Sequence, residues 1–223
     1  NARFTFPANQ CPSIAPEWED PEGVPISAIM FGGRRASNVP LITQARNWEH
    51  GVFLGSIMSS EKTAAAAGKI GEVRFDPFAM LPFMGYNVGD YIKHWIEIGK
   101  VDKSNKLPEL FWVNWFRKDE NGNFLWPGFG ENSRVLKWIL DRIDGNTQAI
   151  DTPLGLLPEI DGIDTKGLDV DSSAMAKLLE VNSESWAEEI PLIEEHLGSI
   201  GERLPVEMTS QLNDLKSRIG LGT

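Results

Sequence analysis

Apolar positions recur with helical period over residues 88–98, where Val88, Tyr91, Ile92, Trp95 and Ile98 fall on one face. The same period links Val135, Ile139 and Ile143, with Arg134, Lys137 and Arg142 on the polar side. Asn132 or Ser133 stands ahead of that run as an N-cap. Three further helices are predicted after residue 170. Asp171 or Ser172 caps the first. Asn182 or Ser183 starts the second, which turns Trp186, Ile190, Ile193 and Leu197 inward and bends at Pro191. The third follows Leu204-Pro205, with Met208, Leu212, Leu215 and Ile219 at helical spacing.

Strands are predicted over 26–31, 51–58, 70–75 and 110–116. In the second of these Val52, Leu54 and Ser56 alternate with Phe53, Gly55 and Ile57. Residues 1–25, with Pro7, Pro12, Pro16 and Pro21, read as an irregular loop. Residues 76–86 read as a buried irregular crossing, and 145–170 as an aperiodic connector over the surface. The pattern gives an α/β fold, a mixed sheet with a helical C-terminal tail, divided into 1–150 and a supporting 151–223.

The densest chemistry lies over 114–134, NWFRKDENGNFLWPGFGENSR. Asn121-Gly122 between apolar runs signals a hairpin, because both residues tolerate positive φ. Phe116 and Phe124 then project from neighbouring strand ends. Pro127, Gly128 and Gly130 leave Phe129 on a loop. Two readings stay open: aromatics holding a planar base, with the Asn132 amide on the base edge, or a hairpin filling its own hydrophobic corner. Over 59–69, SSEKTAAAAGK has helix propensity but little apolar bulk. It reads either as a marginally stable closing segment or as an ordinary surface helix.

The net charge is −11, with 21 Lys and Arg against 32 Asp and Glu, and the excess acid lies beyond residue 150. Such a chain lacks the clustered cations that nucleic acid requires, and no apolar run approaches the length of a membrane span. The single cysteine, Cys11, forms no internal disulfide, which makes a reducing cytoplasm the default. His50, His94 and His196 show no metal-ligand spacing and read as structural. No G-x-x-x-x-G-K-[ST] loop occurs.

The stretch 114–134 resembles the guanine-binding segment of GTP-dependent phosphoenolpyruvate carboxykinases. NARF at 1–4, IMFGGRRASNVPL at 29–41 and HGVFLGSIMSSEKTAAAAGK at 50–69 agree with the same family in order and spacing. The resemblance implies conversion of oxaloacetate and GTP to phosphoenolpyruvate, CO2 and GDP, in gluconeogenesis. It implies that Asn1, Ala2 and Arg3 face substrate, and that Arg3 and Arg34 reach the phosphoryl oxygens. It places GTP against Trp115, Phe116, Phe124, Phe129, Gly130, Glu131 and Asn132. It makes Ser60, Glu61, Lys62, Thr63, Ala64 and Ala65 part of an Ω-loop lid.

The family's Mn2+ and Mg2+ ligands lie upstream of NARF, so none is expected in this chain. The chain, beginning inside a motif at Asn1, is expected to be a C-terminal portion, inactive without the rest of a monomeric enzyme. The competing expectations are an inert guanine-nucleotide-binding module and a purely structural domain.

Overall fold

The computed structural model describes residues 5–62, 72–101 and 106–222. Its centre is a five-stranded sheet in the order β1 (Ala28–Gly32), β5 (Glu109–Val113), β2 (Ile42–Gln44), β7 (Leu156–Leu157), β6 (Ile150–Asp151). The sheet is mixed: β1 runs parallel to β5, whereas β5–β2, β2–β7 and β7–β6 are antiparallel. A separate ribbon pairs β3 (Ser59–Glu61) with β4 (Val73–Phe75).

Successive side chains of a strand leave on opposite faces, and β5 uses both. Leu110 and Trp112 enter one core, Phe111 and Val113 the other. The first core holds α1 (Trp48–Ser56), α2 (Val88–Val101), α5 (Ser183–Ile200) and α6 (Val206–Arg218). The second holds α3 (Asn132–Ile143) and α4 (Ser172–Leu179). A strand covered on both faces must be apolar throughout, which is why Leu-Phe-Trp-Val in β5 shows no alternation. Residues before and after position 150 share both cores, as Trp112 meets Trp186 with ring centroids 6.3 Å apart.

The caps explain where several helices start. Asp171 accepts from the Ala174 N–H at 2.8 Å and Asn182 from the Ser185 N–H at 2.9 Å, as the sequence predicts. The expected strand at 51–58 is instead α1. Asn47 caps it by accepting from the His50 N–H at 2.8 Å, and every residue from His50 to Ser56 is buried. A helix wrapped on all sides has no polar stripe, so alternation there carries no information. Gly51 and Gly55 share a helical face and admit close neighbours. A Cβ on Gly51 would lie 2.3 Å from Leu110 Cδ1, and one on Gly55 2.4 Å from Phe78 Cε1.

Three other expectations need correction. The connector 145–170 contributes β6 and β7 and buries Leu154, Leu157 and Ile163 in the cores. The crossing at 76–86 buries only Asp76, Pro77 and Phe78 deeply, while Phe83 and Tyr86 face outward. Of the segment 59–69, residues 59–61 form β3 and the rest from Thr63 lies outside the described residues.

His50 gives this fold a pH dependence. Its Nδ1 accepts from the Arg46 N–H at 3.1 Å. Burial, reinforced by the Arg46 and Arg218 charges, pushes its pKa from 6.5 down to about 3. Between those values the unfolded chain binds the extra proton, so stability falls as pH drops. We expect a loss of about 1 kcal/mol from this residue between pH 7 and pH 5.5. Urea unfolding should therefore be less pH-sensitive in His50→Gln; equal sensitivity would remove His50 as the cause.

Candidate functional site

β1 ends at Gly32, and the chain leaves it through a tight passage. A Cβ on Gly33 would sit 2.0 Å from the Ser59 carbonyl oxygen, so only glycine lets this turn lie against β3. The adjoining residues are tied to β3 in three places. The Arg34 N–H donates to Ser60 Oγ at 3.1 Å, the Glu61 N–H to the Arg34 carbonyl at 2.8 Å, and the Ala36 N–H to Glu61 Oε1 at 2.7 Å.

The paired arginines then part. Arg34 is exposed, and among the described residues its guanidinium forms no ion pair. Arg35 turns inward, where it meets Glu189 of α5, donates to Ser59 Oγ at 2.7 Å and lies 3.8 Å from Glu61.

Asn114, at the end of β5, is fully buried and joins this loop to the aromatic segment. Its Nδ2 donates to the carbonyls of Arg35 and Val39 at 2.8 and 2.9 Å. Its Oδ1 accepts from the N–H groups of Arg35 and Phe116, both at 3.2 Å. One carboxamide thus holds the backbone of the arginine loop and the first residues of the aromatic hairpin. The sequence reading gave Asn114 no role. The only signal for it was a polar residue closing an otherwise apolar strand.

The hairpin is looser than an Asn-Gly turn. Of its turn residues only Gly122 has positive φ, at 82°, and a single antiparallel bridge joins Lys118 to Phe124. Asp119 organises the turn, accepting from the N–H groups of Asn121 and Asn123 at 2.9 and 2.8 Å. Those bonds, chiefly the Asn123 N–H, hold its carboxyl below the usual range. Phe116 and Phe124 meet edge to face with centroids 6.1 Å apart, and Lys118 Nζ lies 5.0 Å from the Phe124 ring centre.

Beyond Gly128, at φ 99°, a short 3-10 turn (Phe129–Glu131) leads into α3. Phe129 is 96% exposed and Phe124 58% exposed, so neither ring fills the interior. Trp126 behaves oppositely and is 1% exposed. A cleft of about 670 Å³ opens between these residues, lined by Trp115, Phe116, Phe124, Trp126, Phe129 and Asn132 and by the Pro127-Gly128 backbone. Beside it a second cleft of about 350 Å³ is lined by Arg34, Gly32, Gly33 and Ser60 and shares Trp115 and Phe116 with the first. Flat apolar rings therefore line one cleft, and the neighbouring cleft, which shares Trp115 and Phe116, holds a guanidinium with no ion pair among the described residues.

Neither expected cap of α3 is one. The helix begins at Asn132 itself, and the preceding Glu131 makes no capping bond. Asn132 Oδ1 instead accepts from the Trp126 indole N–H at 2.9 Å. Glu131 pairs with Arg134 at 2.6 Å, and Gly130 is exposed at the rim. Lys62 faces Glu72 at 3.0 Å. Asn1, Ala2, Arg3, Thr63, Ala64 and Ala65 lie outside the described residues. No cluster of three or more His, Cys, Asp or Glu among the described residues is arranged to hold a metal ion. No helix among them is long and apolar enough to cross a membrane.

Residues 1–218 match the family described as phosphoenolpyruvate carboxykinase C-terminal P-loop domain. Curated relatives named phosphoenolpyruvate carboxykinase [GTP] are similar over nearly the whole chain. That of Treponema pallidum is 55% identical over 221 residues, covering 98% of this chain and 36% of the relative. Those of Renibacterium salmoninarum and Paenarthrobacter aurescens are 49% and 48% identical over 220 residues, each covering 99% of this chain and 36% of the relative. The chain thus spans about 36% of the length of the curated relatives it matches.

Proposed function

The chain belongs to the GTP-dependent phosphoenolpyruvate carboxykinase family, and from that premise we propose that it supplies the guanine pocket and part of the phosphate grip of that enzyme. The activity proposed for the whole protein is conversion of oxaloacetate and GTP to phosphoenolpyruvate, CO2 and GDP. The observation that carries the reading is the pair of neighbouring clefts sharing Trp115 and Phe116, with exposed Phe129 and Phe124 on one and Arg34 on the other. Aromatic rings left in solvent are costly unless something flat covers them, and a purine is both flat and polarisable. A guanidinium with no ion pair among the described residues suits the charge of a transferring phosphoryl group.

Phosphoryl transfer is chiefly positioning and charge neutralisation. In this proposal Phe116, Phe124 and Phe129 orient the base while Arg34, with Arg3, draws the γ-phosphoryl oxygens toward the attacking enolate oxygen. Ser60 and Glu61 fasten the arginine loop to the segment read as the lid, whose closure excludes water from the enolate. The divalent ions implied by the family do not fit the described residues, which offer no ligand cluster.

Titration with GDP should quench tryptophan emission through Trp115, which lines both clefts. An emission spectrum indifferent to GDP would return the hairpin to a packing role. The purified 223-residue chain is also expected to consume no GTP in the presence of oxaloacetate. Measurable turnover would show that the machinery is complete without further residues.

A further inference from the structure

The geometry points to Trp126 as a positioning residue that sets base selectivity by fixing which end of the Asn132 amide faces the cleft. This rests on the base-pocket reading above and goes beyond it. An indole N–H can only donate, so the Asn132 atom 2.9 Å from it must be the carbonyl oxygen. The amide is planar, and its other end is then the NH2 group. That group makes no hydrogen bond among the described residues, and Asn132 lines the cleft. Of its donor-plus-acceptor pair, only the donor is left for a ligand.

The bond also sets Trp126 apart from the other buried tryptophans. Trp112, Trp126, Trp138 and Trp186 are all fully buried, yet the indole N–H groups of Trp112, Trp138 and Trp186 have no partner among the described residues. Trp126, whose ring sits in the same core as Val135 and Trp138, holds its N–H rigidly at the start of α3. The amide it meets is therefore oriented before any ligand arrives.

A fixed donor separates the two common purines. Guanine carries a carbonyl oxygen at the position where adenine carries an amine. The Asn132 NH2 meets an acceptor in the first case and a second donor in the second, leaving both groups unpaired. A free amide could turn over and serve either base. Trp126 removes that freedom.

The test measures dissociation constants for GDP and ADP by calorimetry on the full chain and two variants. The unsubstituted chain should prefer GDP. Trp126→Phe keeps most of the ring and removes the donor, so the preference should fall about tenfold, the value of one ordinary hydrogen bond. Asn132→Asp still accepts from the indole but offers only an acceptor to the cleft, so its preference should fall at least as far, with ADP gaining relative to GDP. The Trp126 indole N–H should exchange slowly in the unsubstituted chain and fast in Asn132→Ala. A folded Trp126→Phe with unchanged preference overturns the positioning role and leaves the pocket standing. Should Trp126→Phe not fold, unchanged preference in Asn132→Asp or unchanged indole exchange in Asn132→Ala overturns it. A chain that does not bind GDP overturns the reading beneath it as well.

Discussion

Glu189→Ala is expected to destabilise the fold by about 3–5 kcal/mol, because it strands a buried charge. Arg35 and Glu189 are 3% and 7% exposed and lie 154 residues apart in sequence. Arg35 Nε already has no hydrogen-bond partner among the described residues. Without Glu189 the guanidinium keeps, among the described residues, only the Ser59 hydroxyl at 2.7 Å and a glancing approach to Glu61 at 3.8 Å. Asn38 would also lose an acceptor, since its Nδ2 donates to the same Glu189 oxygen at 3.0 Å from a backbone at φ 63°. Replacing both partners, as Arg35→Met with Glu189→Leu, should recover much of the loss, because a buried pair is often matched by apolar groups of similar volume. Urea unfolding of the single and double variants measures this. A single variant within 0.5 kcal/mol of the parent would show that the pair is not isolated from water.

Phe129→Ala should do the reverse, costing binding and leaving stability alone. A side chain 96% exposed contributes little to folding, so a stability change within about 0.5 kcal/mol is expected. Loss of a stacking ring is worth about 1–3 kcal/mol per base, or roughly 5- to 150-fold in GDP affinity. Phe116→Ala would be a poorer probe, since Phe116 is partly buried against Phe124 and its removal mixes both effects. Calorimetric titration of Phe129→Ala with GDP decides the matter. Affinity within twofold of the parent would mean that the base does not lie against this ring.

What was legible in the sequence follows from where information is local. Helices α4, α5 and α6 each announce themselves with a cap or proline and a one-sided apolar stripe, and Phe129 is placed outside by the glycines around it. Helix α1 escaped because all its sides are covered and its period has nothing to contrast with. Strands β6 and β7 are two residues each and exist only because β2 presents an edge to β7, and β7 in turn to β6. The hairpin at 119–123 was foreseen, but its control by the Asp119 carboxylate was not, since an Asn-Gly pair draws attention from its neighbour.

The site divides in the same way. Its residue types and order were visible and carried the family resemblance. The bonds that aim them were not. Nothing in the string Arg34-Arg35 tells which side chain turns inward, because the answer is held by Glu189 far along the chain. Nor does Asn132 reveal that Trp126 occupies its oxygen, a contact that depends on the path of the Pro127-Gly128 backbone. Patterns report burial and period well. They report poorly on hydrogen bonds made after the chain has folded back.

The carboxamide of Asn114 gives the two clefts a fixed span. With its four bonds running to Arg35, Val39 and Phe116, it ties the backbone beside one cleft to the backbone beside the other. The fold in effect carries a caliper whose jaws are a ring and a guanidinium, set once when the chain folds. On the reading proposed above, a ligand whose length does not match that span would bind less well than either cleft taken alone would allow.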